Sequence, residues 1–159
     1  MRTSTAKKLV LAGVVLSAVI CASIAYSHCQ IPCGIYNDQM RFDMMAEHIT
    51  TIEKAMNIIT VLSEAEKPNM NQMVRWIQNK EQHADELSHI ITHYFMTQRI
   101  NPSAETDTKA YHQYVNKLVL LHQMLVYSMR CKQTTDLVNV KKLRSLLTEF
   151  RDAYSGKNM

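Results

Sequence analysis

The chain has 159 residues, 47% of them hydrophobic but only 7% aromatic, which is enough for one domain with a sizeable core and leaves no room for a second. Three Gly and three Pro against eleven Met favour long helices over strands and turns, so the fold class expected is all-α. The net charge of +4 drops to about +1 once Arg2, Lys7 and Lys8 are set aside, because the first 27 residues hold these three bases and no acid; nucleic acid is therefore not the implied partner.

Residues 1–27 read as a signal peptide. A basic start is followed by an apolar run from Leu9 to Ile24 and then by Ala25-Tyr26-Ser27, which puts small residues at −3 and −1 of a cut after Ser27. The run is about the minimum length for a bilayer span, so an uncleaved anchor is the rival reading. Cleavage implies export and no membrane attachment of the mature chain. It also removes Cys21 and leaves Cys29, Cys33 and Cys131, an odd number in an oxidising compartment.

The cut would make His28 the first residue and give it a free α-amine beside its imidazole. The amine nitrogen, the deprotonated amide nitrogen of Cys29 and the Cys29 sulfur can then wrap one metal in two fused five-membered rings, with Cys33 sulfur completing a plane. That donor set, with an imidazole free to bind axially, suits Ni(II) or Cu(II). Zinc prefers a tetrahedron. Pro32 stiffens the loop, and Gly34 permits a turn that brings the second sulfur round. Thiolates stabilise a higher oxidation state, which makes a one-electron Ni(III)/Ni(II) cycle feasible. Taken alone, Cys29-x3-Cys33 fits a structural disulfide better. A signal cut, a His at the new terminus and a Cys directly after it together reverse that preference.

The remainder reads as four amphipathic helices over about 38–155. The first runs from Asp38, as N-cap, to Lys67 before Pro68, with Phe42, Met45, Ile49, Ile52, Met56, Ile59 and Leu62 on one face. The second is capped by Asn69, carries Met73, Ile77, Leu87, Ile90, Ile91 and Tyr94, and ends at Asn101-Pro102. Its polar middle, Gln78 to Glu86, is expected to face solvent, a partner subunit or a polar site. Ser103 to Asp107 leads into a third helix with Tyr111, Tyr114, Leu118, Leu121, Leu125 and Met129 on one face. The last runs from about Asp136 through Leu137, Val140, Leu143, Leu147 and Phe150 to Ser155-Gly156. Short links between them make an up-and-down four-helix bundle behind an N-terminal metal-binding hook, residues 28–36.

Other candidates read as structural. Glu86-x-x-His89 is half of a di-iron motif, but the second half is absent; His89, His93, His112 and His122 are expected at the surface or an interface. The methionines read as core filling rather than copper ligands, and Cys131 as a buried thiol.

His28-Cys29-Gln30-Ile31-Pro32-Cys33-Gly34-Ile35-Tyr36 resembles the nickel hook of nickel-type superoxide dismutases, H-C-x-x-P-C-G-x-Y, over its whole length. Lys80-Glu81-Gln82-His83-Ala84, Tyr94-Phe95 and Cys131-Lys132-Gln133 are also similar to that family. The resemblance implies a nickel ion held by His28, Cys29 and Cys33, with Tyr36 over its open face, superoxide as substrate and a homohexamer of four-helix subunits. It also implies that Tyr94 matches a tyrosine near the site. Gln30 stands where some members have an acid. The family's Glu and Arg that orient the axial imidazole have their nearest matches in Asp43, with Glu47 one turn on, and His83. Better-known members free the amine by cutting a short leader inside the cell, whereas here export itself would free it. The rival is an exported, non-catalytic nickel or copper carrier or sensor using the same hook, and turnover separates the two.

Overall fold

The computed structural model describes residues 37–156, so the signal segment and the hook residues His28, Cys29, Cys33 and Tyr36 lie outside the described residues. The described residues form four helical rods: α1 (Asp38–Ser63), α2 (Met70–His89), α3 (Thr108–Gln133) and α4 (Leu137–Ser155). α2 runs on through Ile90–Arg99 as a wider π-helical segment. Each helix packs on the next, and α1 also packs on α4, which closes a four-cornered, up-and-down bundle. Among the described residues there is no strand, and no helix is long and apolar enough to cross a membrane.

The buried seam of α1 is Phe42, Met45, Ile49, Ile52, Met56 and Ile59, as the spacing predicts. Isoleucine costs up to about 0.7 kcal/mol in helix propensity, whereas burying its side chain contributes about 1.5–3 kcal/mol, so packing decides the conformation. α1 ends at Ser63, four residues short of the expected Lys67, and 64–67 turn before Pro68. The N-cap is Asn37 rather than Asp38, since the Asn37 side chain accepts the Gln39 amide at 2.8 Å. Asp38 is thereby freed for other partners.

Asn69 caps α2 as expected, accepting the Gln72 amide at 3.1 Å. Asp107 and Asp136 cap α3 and α4 by the same device. Gly156 closes α4 at φ 72°, a left-handed value that favours glycine, with its N–H donated to Asp152 O.

The face of α3 differs from the expected one. Its buried positions are Leu120, Leu121, Met124, Ser128 and Cys131, while Met129 is 49% exposed. Cys131 is the buried thiol expected, whereas a count of large apolar residues passes over Ser128. Ser128 is fully buried because its hydroxyl donates to Ala84 O on α2 at 3.0 Å. Core filling holds for Met45, Met56, Met73 and Met124, whereas Met40, Met70 and Met129 are exposed.

Candidate functional site

The π segment is marked by bonds to carbonyls five residues back: Ile100 N–H donates to Phe95 O at 2.9 Å, Thr97 Oγ1 to Thr92 O at 2.7 Å and Gln98 Nε2 to His93 O at 2.8 Å. Residues five apart then stand above one another, where an α-helix aligns those three or four apart. Tyr94 and Arg99 are such a pair. The Arg99 guanidinium lies 5.0 Å from the Tyr94 ring centre, and its Nη2 donates to the Tyr94 hydroxyl at 2.9 Å. Arg41 of α1 packs on the same ring at 5.2 Å.

These groups converge on Asp38, the first residue of α1. Tyr94 Oη donates to Asp38 Oδ1, Tyr154 Oη of α4 donates to Oδ2 at 2.8 Å, and Arg99 Nε sits 2.8 Å from Oδ1. Phe42, Phe95, Phe150 and Tyr154 pack beneath with ring centres 4.9–5.8 Å apart. One carboxylate therefore ties α1, the π segment and α4 together. Partial burial pushes the Asp38 carboxyl up, but hydrogen bonds from Tyr94 and Tyr154 and the Arg99 charge outweigh it and hold the carboxyl below its ordinary value. The same burial and bonding raise the pKa of both tyrosines, so they remain donors at neutral pH.

A depressed carboxyl contributes stability that is present above its unfolded-state value and lost as pH falls through its folded value. Asp38→Asn is expected to cost about 1–2 kcal/mol at pH 7, because charge-assisted bonds become neutral ones at a site still partly open to solvent. Urea midpoints for the two proteins should converge as the buffer is taken below the ordinary carboxylate range. An unchanged midpoint at pH 7 would show that Asp38 ties nothing together.

The polar middle of α2 builds a second cluster. His48 of α1 is buried within an otherwise apolar seam, and its Nδ1 lies 2.8 Å from Nδ1 of His83. Glu86 Oε2 is 3.5 Å from His48 Nδ1 and 3.8 Å from His83 Nδ1. Burial and then the neighbouring His83 lower the His48 pKa, more than Glu86 and Glu47 raise it. Its neutral form is thus favoured.

His83 thus faces His48, while Asp43 is exposed, accepts from Gln39 Nε2 at 2.8 Å and lies 3.8 Å from Arg151 Nη2. Glu47 is exposed as well. Glu86 turns to the two histidines, while His89 stacks on His93 with ring centres 4.2 Å apart at the surface, so the half di-iron motif is not assembled. His112 and His122 are exposed. The apolar period of α1 passes over His48, because a count of apolar positions registers only its neighbours Met45 and Ile49. The signal was there: it breaks an apolar seam between Met45 and Ile49.

The segments around Lys80 and Cys131 meet in the bundle. Lys80, only 5% exposed, donates through Nζ to Lys132 O, a carbonyl left over at the end of α3. Lys132 Nζ in turn reaches Asp85 at 2.7 Å and Glu81 at 3.5 Å on α2. Cys131 is a free, fully buried thiol whose pKa burial pushes up to about 11, so it is protonated and a poor metal ligand at neutral pH.

A family model for nickel-containing superoxide dismutases matches residues 23–158, a span that takes in both the whole hook motif and the bundle. No curated protein and no solved structure matches the chain.

Proposed function

The chain belongs to the nickel-containing superoxide dismutase family, and is an oxidoreductase with a nickel cofactor; we propose that its own N-terminus, freed after Ser27, is the nickel site. The observation that carries this reading is that residues 23–158 match the family while including His28-Cys29-Gln30-Ile31-Pro32-Cys33-Gly34-Ile35-Tyr36.

The donor set fits nickel chemically. His28 would offer its α-amine and imidazole, Cys29 its amide nitrogen and thiolate, and Cys33 a second thiolate. Soft sulfur with strong nitrogen donors would select a late transition metal such as nickel. The described residues offer no rival thiolate, because Cys131 is buried and protonated. When bound, the nickel supplies a one-electron Ni(III)/Ni(II) couple, which permits one superoxide to be oxidised to dioxygen and another, with two protons, to be reduced to hydrogen peroxide.

The chain's own part is to hold that couple in place and restrict access to it. The ordinary pKa of an α-amine is about 7.7–8.0, so the His28 amine is readily available as a donor near neutral pH. Tyr36, three residues beyond Cys33, would order water over the open face and limit entry to small anions. Asp38 follows two residues later, and its bonds to Tyr94, Tyr154 and Arg99 anchor the start of α1, from which the hook departs. The reading includes export through the signal peptide and assembly as a homohexamer.

Native mass spectrometry of the mature protein tests these claims together. The expected result is a subunit beginning at His28, one nickel per chain and six chains per particle. An active protein that starts at Met1 or elsewhere would overturn the N-terminal site.

A further inference from the structure

We propose that His48, His83 and Glu86 form a second metal site, one for a zinc-like divalent cation, that bridges α1 and α2 and shares no ligand with the nickel hook. Among the described residues they are the group of three potential metal ligands whose donor atoms converge. Two imidazole nitrogens and one carboxylate oxygen are the ligand types of open zinc sites, with a fourth position left for water. Thiolates, which would favour nickel or copper(I), are absent from the group.

The distances suit an ion. Donors held at about 2.0–2.2 Å from a metal, with angles of about 90° to 120° between them, stand about 2.8–3.8 Å apart. The three separations here are 2.8, 3.5 and 3.8 Å. The widest involves Glu86, whose side chain is 43% exposed and can turn inward, whereas His48 is fixed by the core at 11%. Both histidines present the same nitrogen, Nδ1, to the same point. Without a metal, one must carry the hydrogen and the other accept it. With a metal, both carry the hydrogen on Nε2 instead, so the pair can bind a cation without a net loss of protons from the rings.

An outer partner already orients the carboxylate. Gln82 Nε2 donates to Glu86 Oε1 at 2.8 Å, which leaves Oε2 directed at the histidines. His83 and Glu86 are three apart on α2 and so share a face, while His48 comes from α1, so a bound ion would link the two helices that pack most extensively.

The test uses the mature, nickel-loaded protein, in which the hook is occupied, dialysed against micromolar zinc and assayed for both metals per chain. One zinc beside one nickel is expected. Glu86→Gln, a change at a partly exposed residue that leaves the fold intact, should weaken zinc binding tenfold or more with the nickel content unchanged. His48→Asn should do the same, with its folding checked by circular dichroism. Absence of zinc, zinc bound equally by Glu86→Gln, or zinc gained only as nickel is lost would each overturn the proposal.

Discussion

Replacing Cys29 or Cys33 with serine is expected to abolish superoxide turnover, by on the order of 10³-fold or more per chain, which exceeds the ten- to hundredfold cost of losing a ligand's outer partner. The reason is electronic. A hydroxyl oxygen is a hard donor with a far higher pKa than a thiol, so at neutral pH it offers neither negative charge nor the soft electron density that makes the oxidised metal accessible. Binding and turnover should therefore separate, with some metal retained on the remaining nitrogens while redox activity vanishes. Cys131→Ala supplies the control, since that thiol is buried and protonated and should not affect turnover per bound nickel. Pulse-radiolysis decay of superoxide, normalised to nickel content, measures both. Near-normal turnover by Cys29→Ser or Cys33→Ser would refute thiolate ligation.

Adding a single Ala before His28 should be almost as damaging, although every side chain survives. The added residue converts the His28 amine into an amide. An amide nitrogen coordinates only after losing a proton that it holds far more tightly than an α-ammonium does, and the new terminal amine lies one residue further along the chain. A site made only of side chains would tolerate the extension. The comparison needs the mature chain released from a cleavable tag that leaves either nothing or one Ala, with both forms loaded with nickel. The extended form should lose at least about a hundredfold in turnover, by the same ligand-loss reasoning, together with the spin-resonance signal of an axially nitrogen-ligated Ni(III). If both forms match in rate and spectrum, the α-amine is not a ligand, and the link between signal cleavage and function fails.

The helical core was legible because apolar spacing maps directly onto burial: Phe42, Met45, Ile49, Ile52 and Met56 on α1, and Val140, Leu143, Leu147 and Phe150 on α4, are buried where the period puts them. α3 was legible only in outline: Cys131 is the buried thiol expected, but Ser128 is buried through a hydrogen bond rather than through apolar bulk, and Met129 lies exposed. The π segment left no mark in the sequence. The pair it aligns, Tyr94 and Arg99, meets Asp38, 56 residues before Tyr94.

Some properties of this protein are local, and the sequence by itself determined them. Four amphipathic helices, the Asn69 N-cap and the hook motif that identifies the nickel family are each written in residues close together in the chain, so propensity, periodicity and spacing suffice to read them. Tertiary structure decided which polar groups meet. It gathered Tyr94, Arg99 and Tyr154 around Asp38, turned His83 toward His48 and Glu86, and placed the Lys80 ammonium on the Lys132 carbonyl. Between helices, those meetings join residues 35 to 116 positions apart, and only the packing of one helix against another fixes the rotation that points each side chain at its partner.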